Sequence, residues 1–191
     1  MPTEGISRLR PRVQVQRYEH YDAATIWLHW STVALVVILW SLGQVSGWLP
    51  RGSVRSGLWS THVVLGLLLA LILGMRILWR ANFGIALPPA DAGLLNWLAK
   101  GTHHALYVLL LAVVVLGIAN ASYRTYDVYG IFSMPRFGDG NSVTERRLNS
   151  WHEWAANLTV LAALFHAAAA FGHEFIWRDH LIARMRPPRD R

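Results

Sequence analysis

The chain has 191 residues, of which 53% are hydrophobic and 15% are charged, and its formal net charge at pH 7 is +7. It contains no cysteine, which excludes disulfides, thiolate metal sites, iron–sulfur clusters and thioether-linked haem. The basic residues are distributed around apolar segments, and this placement predicts no nucleic-acid partner.

In chain order, the sequence begins with a polar, Arg-rich lead-in at residues 1–20, which we predict to be cytoplasmic and without a fold of its own. Four apolar stretches follow, at about residues 24–44, 58–79, 101–121 and 151–172. Each is long enough to cross a bilayer, since about 20 apolar residues span roughly 30 Å of hydrocarbon. The sequence therefore predicts an all-α integral membrane protein, a four-helix bundle formed by one domain at residues 21–186, with a basic tail at 187–191.

The residues that flank these stretches support the same map. Nine of the ten Trp lie near the ends of the stretches, as expected for aromatic belts at the two membrane interfaces, and Trp40 alone lies well inside. The first stretch starts about twenty residues into the chain and lacks a small-residue cleavage site, so we expect a span and not a cleaved signal peptide.

Basic residues are unevenly divided between the two sides of the predicted bundle. Twelve of the 18 Lys and Arg fall on the side of the two termini and of the loop between the second and third spans, and six fall on the other side. Because cytoplasmic segments carry an excess of positive charge, both termini are predicted to face the cytoplasm.

The segment at residues 123–149 is the one long loop in the sequence, and it lies on the side opposite the termini. Loops of this length are usually functional or disordered. Its aromatic residues and the dipeptide Met134-Pro135 favour an ordered segment that packs on the bundle.

Four histidines lie within the predicted spans, where an ionisable side chain is costly and is by default a functional candidate. The stretch SWHEWAANLTVLAALFH places His152 and His166 fourteen residues apart in the fourth span. At about 100° per residue the two share one helix face, roughly 21 Å apart along the axis. The antiparallel order of the spans then puts His62 at the depth of His152 and His29 at the depth of His166. The sequence thus predicts two histidine pairs at two depths.

A pair of imidazoles between apolar helices favours haem over the alternatives. Zinc takes four ligands, and each depth offers two. A haem takes two axial imidazoles on opposite faces of its ring, and four-helix bundles hold cofactors between facing helices. Such ligation leaves the iron no open position, which favours electron transfer over oxygen binding. For any single histidine, a hydrogen bond between helices remains the alternative. We predict two haems, one in each leaflet, with Arg76 and Arg80 as either propionate partners or membrane anchors.

Several motifs, in order along nearly the whole chain, carry a resemblance to a known family. They are IWLHW around His29, WSTHVVLG around His62, HHALYVLLLAVVVLG in the third span, FSMP in the long loop, SWHEWAANL with LFHAAAA in the fourth span, and WRDHLIARMRP near the end. With these motifs the chain resembles the prokaryotic cytochrome b561 family of small dihaem membrane proteins.

By position, the resemblance implies two haem b groups in a multi-pass protein of the bacterial inner membrane. His29 and His166 match the axial ligands of the inner haem iron, and His62 and His152 match those of the outer haem iron. His103, next to His104, matches a family histidine that is not one of these four ligands.

The resemblance further implies oxidation of superoxide to O2 on the periplasmic side, with ubiquinone as the electron acceptor. A positive field raises the on-rate of a small anion such as superoxide. The outer loop offers four arginines for this steering: Arg124, Arg136, Arg146 and Arg147. The alternative is that these side chains meet lipid headgroups or the acidic residues Asp127, Asp139 and Glu145.

Two other functions stay open on the sequence. The second hypothesis is an electron-transfer subunit that passes electrons between quinone and another redox partner, such as a dehydrogenase, so a protein partner is possible but not required. A structural bundle without haem, in which the histidines form hydrogen bonds, is the third hypothesis.

Overall fold

A computed structural model describes residues 20–90 and 92–186. The predicted lead-in, except His20, and the predicted tail at 187–191 lie outside the described residues. Most of the described chain is α-helical: α1 is Ala23–Trp48, α2 is Ser53–Asn82, α3 is Gly93–Tyr123 and α4 is Ser142–Gly172. A π-helical turn at His173–Trp177 and a 3₁₀ turn at Leu181–Met185 follow α4.

The four helices confirm the predicted membrane bundle. Each is long and apolar enough to cross a membrane, and each predicted stretch lies inside one helix. Their outer faces carry large apolar side chains; Val108 in α3 is 66% exposed and Leu164 in α4 is 62% exposed. Such a surface is unfavourable in water, but lipid tails are as apolar as the side chains themselves. The bundle therefore presents its apolar surface to the bilayer.

The start of α4 corrects the predicted length of the long loop. The Asn141 side chain accepts a hydrogen bond from the Val143 N–H at 2.8 Å, and Glu145 lies in the first turn. Both features stabilise a helix N-terminus. The prediction of a loop that extends to residue 149 is therefore wrong, because a capping signal, and not hydropathy, sets the start of this helix.

The remaining loop, residues 124–141, is ordered and packs on the bundle, as predicted. It contains a β-hairpin of β1 Asp127–Val128 and β2 Phe132–Ser133. Its turn is tight, with positive φ angles at Tyr129 (55°) and Gly130 (72°). The Tyr129 N–H donates to Ser60 Oγ at 3.2 Å, which holds the hairpin on α2. We call this end of the bundle the hairpin end.

The opposite end, which we call the terminal end, carries the start of α1, the end of α2 and the turn at Leu181–Met185. This turn folds back over α1. The Tyr21 N–H donates to the Arg184 carbonyl at 3.1 Å, and Trp30 Nε1 donates to the Met185 carbonyl at 3.0 Å. The segment after α4 therefore closes the terminal end.

The helices form two closely packed pairs. α1 packs mainly on α2 and α3 mainly on α4, whereas α2 contacts α3 less extensively and α1 touches α4 only locally. Leu35, Leu39 and Leu69 form a buried cluster within the first pair. Space therefore remains between the two pairs.

Asp22 joins three segments at the terminal end. As the N-cap of α1, its carboxylate accepts bonds from the Thr25 N–H and Oγ1, and it also accepts from Trp79 Nε1 of α2 at 2.8 Å and from the Ile85 N–H at 3.2 Å. Partial burial acts to raise the pKa of Asp22, but these hydrogen bonds outweigh burial and hold the pKa at about 2.

Replacing Asp22 by Ala is expected to destabilise the bundle by about 1–3 kcal/mol at pH 7, since it removes a helix cap and two bonds between segments. Because the folded pKa lies below the ordinary value, the contribution is complete above about pH 4 and is lost as the pH falls toward 2. Thermal unfolding in detergent at pH 7, 4 and 2.5 measures this effect. An equal difference between wild type and variant at all three pH values would contradict it.

Candidate cofactor site

A cavity of about 660 Å³ lies between the two helix pairs at the hairpin end. All four helices line it, and Tyr126 and Met134 from the loop close one side. Pockets that bury a small-molecule ligand usually measure about 300–1,000 Å³. The unfilled space between the pairs is therefore of a size for a cofactor.

Two histidines from different helix pairs face each other in this cavity. The ring centres of His62 in α2 and His152 in α4 are 6.1 Å apart, and the ring planes are nearly perpendicular, at 83°. Metal–imidazole bonds are about 2.0–2.1 Å long, so two imidazoles on opposite sides of one metal have ring centres about 6 Å apart. The separation of these rings fits one shared iron.

The backbone of α3 orients His152. Nδ1 of His152 lies 3.0 Å from the Val113 carbonyl, an acceptor only, so Nδ1 carries the proton and donates. The neutral ring then keeps Nε2 unprotonated, as a metal ligand requires. A Cβ added to Gly117 would lie 2.9 Å from His152 Cε1, closer than real Cβ contacts. Glycine at this position allows the ring to approach α3.

His62 has a similar arrangement against α1. A Cβ added to Gly43 would lie 3.8 Å from His62 Cε1, and the Leu39 carbonyl, four residues earlier, interacts with the ring. Val113 likewise precedes Gly117 by four residues. Nδ1 of His62 is buried and makes no full hydrogen bond within the described part of the chain. Each histidine thus lies near a glycine and a carbonyl on the neighbouring helix of its own pair.

A second group of histidines lies toward the terminal end. The rings of His166 and His103 are 5.2 Å apart, and His29 lies within electrostatic reach of both. Arg76 NH2 is 3.0 Å from His29 Nδ1, and its guanidinium lies 5.1 Å from the centre of the Tyr107 ring. The structure thus places His29 near both other histidines and puts the ring of His103 in contact with His166.

The two histidine groups differ in which ring nitrogen carries the proton. Arginine is a donor only, so His29 Nδ1 accepts from Arg76 and the neutral ring carries its proton on Nε2. This is the opposite tautomer to that of His152. The tautomer of His152 therefore leaves its Nε2 free for a metal, whereas His29 would need Arg76 to release Nδ1 before its own Nε2 could bind one.

Between the two histidine levels, one hydrogen bond links the helix pairs. Trp40 Nε1 of α1 donates to Asn157 Oδ1 of α4 at 2.9 Å, and both residues line the cavity. Asn157 lies between His152 and His166 along α4. The sequence singled out Trp40 as the tryptophan inside a span, but its partner depends on helix rotation, which hydropathy does not specify.

The four arginines predicted to steer an anion occupy different positions. Arg124 lines the cavity and pairs through Nε with Glu145 at 3.1 Å. Arg136 lies in the loop, where Nε donates to the Gly138 carbonyl at 3.2 Å. Arg146 and Arg147 are exposed on the first turns of α4, not in the predicted loop.

Arg55 is a cavity-lining cation that was not among the candidates from the sequence. It lies in the first turn of α2 and donates to the Leu49 carbonyl at 3.0 Å. In the sequence, Arg55 is a basic residue next to the short turn between the first two spans. All four candidates came from the segment around the long loop, so Arg55 was not selected.

Known proteins match this chain over all residues of the site. The family model described as prokaryotic cytochrome b561 matches residues 20–188. The chain is 29% identical over 177 residues to "Cytochrome b561 homolog 1" of Escherichia coli (strain K12), which covers 88% of this chain and 98% of that protein. It is 27% identical over 173 residues to "Probable superoxide oxidase CybB" of Yersinia pestis, covering 89% and 97%. It is 28% identical over 177 residues to "Cytochrome b562" of Cereibacter sphaeroides, covering 88% and 96%.

Proposed function

The chain belongs to the prokaryotic cytochrome b561 family of membrane haem proteins that transfer electrons, and we propose that it is a dihaem cytochrome that oxidises superoxide and reduces ubiquinone. The observation that carries the proposal is the pair His62 and His152, whose ring centres lie 6.1 Å apart across a cavity between helix pairs. The relative named a probable superoxide oxidase supports superoxide as the electron donor.

Four histidines hold the two haem b groups in this proposal. His62 and His152 ligate the haem at the hairpin end, and His29 and His166 ligate the one at the terminal end. When bound, each haem supplies a one-electron iron couple, and two histidine ligands leave its iron no open position.

The chain prepares the two ligand pairs differently. At the hairpin end, the Val113 carbonyl fixes the tautomer of His152, and Gly117 leaves room for its ring. At the terminal end, loading requires Arg76 to release His29 Nδ1, which frees the guanidinium to pair with a haem propionate. Haem binding at the hairpin end would therefore require no displacement of an arginine, in contrast to the terminal end.

The charge distribution orients the bundle. Twelve of the 18 basic residues accompany the two termini and the loop between α2 and α3, and this excess supports a cytoplasmic terminal end. The hairpin end then faces the periplasm in the bacterial inner membrane. Superoxide, as an anion, approaches from water on that side.

Arg55 and Arg124, at the wall of the hairpin-end cavity, attract the anion in this scheme. Two superoxide anions each lose one electron and become O2. One ubiquinone takes up the two electrons and two protons and becomes ubiquinol, so the reaction balances without a further reactant.

A second candidate function is an electron-transfer subunit that exchanges electrons between quinone and a protein redox partner. The exposed apolar side chains of the loop favour it, since Ile131 is 82% exposed and Phe137 is 81% exposed. Apolar patches of this kind occur at protein–protein contacts.

Replacing either His62 or His152 by Ala is expected to remove the same haem, because both ligate one iron. Replacing His29 or His166 is expected to remove the other haem. The haem-to-protein ratio, which falls from two to one, and the reduced absorption spectrum identify what remains. If H62A and H166A retained the same haem, the proposed pairing would be wrong.

Gly117→Ala is expected to weaken the hairpin-end haem about tenfold, as changes to groups that orient a ligand commonly do. The added Cβ would lie 2.9 Å from His152 Cε1, so the ring must move. Transfer of haem to excess apomyoglobin measures the effect. Gly74→Ala in α2 is the matched control, because a Cβ there meets no heavy atom within 4 Å. Equal haem loss from the two variants would contradict the role of Gly117.

Stopped-flow mixing with superoxide is expected to reduce the haem, and R55Q/R124Q is expected to slow this reduction on the order of tenfold at low ionic strength. Salt should diminish the difference, since it screens the field. Arg124→Lys keeps the charge and should restore most of the rate, and R147Q, outside the cavity lining, serves as the control. If superoxide did not reduce the haem of the wild-type protein, superoxide would not be its electron donor and this part of the proposal would be wrong.

A further inference from the structure

The tip of the β-hairpin presents apolar side chains on the surface of the molecule. Ile131 is 82% exposed and Phe132 is 46% exposed. The proposed haem sites use neither residue. Adjacent exposed apolar side chains mark a contact with a protein or with a membrane. The position of the tip along α2 distinguishes these two partners.

The hairpin runs along α2 toward the middle of the bundle. The Tyr126 O–H donates to the Ser56 carbonyl at 3.3 Å. At the tip, the Tyr129 N–H donates to Ser60 Oγ at 3.2 Å, and the four residues from Ser56 to Ser60 rise about 6 Å along the helix axis. Since Ser60 belongs to the apolar stretch that starts at about residue 58, the tip lies beside the first turn of the membrane-spanning segment.

The face of α2 that carries the hairpin continues as a lipid-facing surface. Ser60 is buried where the hairpin covers it, at 3% exposure. The positions four, eight and eleven residues later lie within about 80° of Ser60 around the helix. These positions carry exposed apolar side chains: Val64, Leu68 and Leu71. The tip therefore lies on the outer side of the bundle, next to side chains that face lipid.

The backbone N–H groups of the tip find their acceptors within the protein. Besides the Tyr129 N–H, which donates to α2, the Gly130 N–H donates to Asp127 Oδ1 at 2.8 Å. The Ile131 N–H donates to the Val128 carbonyl at 3.0 Å. A segment that meets lipid needs such internal acceptors, because lipid tails offer none. These three N–H groups are also not free to pair with a strand of a partner protein.

We propose that the hairpin tip is a membrane anchor, in which Ile131 and Phe132 insert into the outermost acyl layer of the bilayer at the hairpin end. The exposed carboxylate of Asp127 limits the depth, because a charged group is costly below the headgroups. The anchored hairpin is also part of the cavity wall, since Tyr126 and Met134 beside its two strands line the cavity. This anchor depends on the membrane-spanning bundle alone and not on the identity of the electron donor.

Single introduced thiols test the position of the tip, since the chain contains no cysteine of its own. I131C and F137C are compared in nanodiscs of phosphatidylethanolamine and phosphatidylglycerol, with a sulfonated maleimide that stays in water. I131C is expected to react about tenfold more slowly than F137C, because apolar surroundings suppress the reactive thiolate. L68C, on the lipid-facing side of α2, gives the rate for a thiol within the bilayer.

Phe137 is the matched control because it lies in the same loop and is exposed to the same extent, 81% against 82% for Ile131. It precedes Gly138, which packs against the ring of Tyr123, the last residue of α3. F137C therefore reports on the level of the helix end. An unchanged absorption spectrum shows that each variant keeps its haem. Equal rates for I131C and F137C would overturn the anchor and leave both side chains to a protein partner.

A second measurement uses the unmodified chain and so does not depend on the folding of a variant. A phospholipid with a photoreactive diazirine near the start of its acyl chain is expected to label the tryptic peptide of residues 125–136, which contains the tip. If α2 carried the label and this peptide did not, the anchor would be wrong. Slow reaction of I131C together with an unlabelled peptide would mean that protein, such as a second copy of the chain, covers the tip, and this result would also overturn the proposal.

Discussion

The cost of a polar ring inside lipid governs the interior of this bundle. Lipid tails offer an imidazole no hydrogen-bond partner, so a histidine in the interior of the bundle faces protein or a cofactor. His152 Nδ1 donates to the Val113 carbonyl of α3. In an α-helix this carbonyl also accepts from the N–H four residues later, which here belongs to Gly117. The ring must therefore approach the helix backbone closely, and only a residue without a side chain permits that approach at 117. The ring of His152 is therefore held against α3 within its own helix pair, while it faces His62 of the other pair across the cavity.

Histidines at the two levels form hydrogen bonds with different kinds of partner. At the hairpin end, a carbonyl accepts from the ring and leaves it ready for a metal. At the terminal end, an arginine donates to the ring and holds the other tautomer. A carbonyl is fixed in its helix, whereas an arginine side chain is long and rotates, so the second arrangement is reversible. Arg76 therefore satisfies His29 in this structure, and in the proposed function it would be free to pair with an acidic group of haem.

Hydropathy and helical spacing were sufficient for the four spans and for the facing of His62 and His152. The fourteen-residue interval in α4 is nearly four full turns, so a common face follows from helix geometry alone. The start of α4 could not be obtained in this way, because the cap at Asn141 is a local polar signal within a charged segment. The contacts of His103, Arg76 and Trp40 depend on how each helix is rotated about its axis. Small differences in packing set that rotation, and a single sequence does not specify them.

In the proposed function, α4 also keeps the two substrates apart. Its histidines lie roughly 21 Å apart along the axis, about two thirds of the roughly 30 Å hydrocarbon layer. Superoxide is a small anion and stays in water at the hairpin end, where Arg55 and Arg124 line the cavity. Ubiquinone is soluble in lipid and stays in the bilayer. Because the ring contacts and the Trp40–Asn157 bond hold the spacing between helix pairs, electrons can cross the bundle while neither substrate needs to enter it. The arrangement would thus let an aqueous one-electron donor reduce a lipid-soluble two-electron acceptor through the bundle.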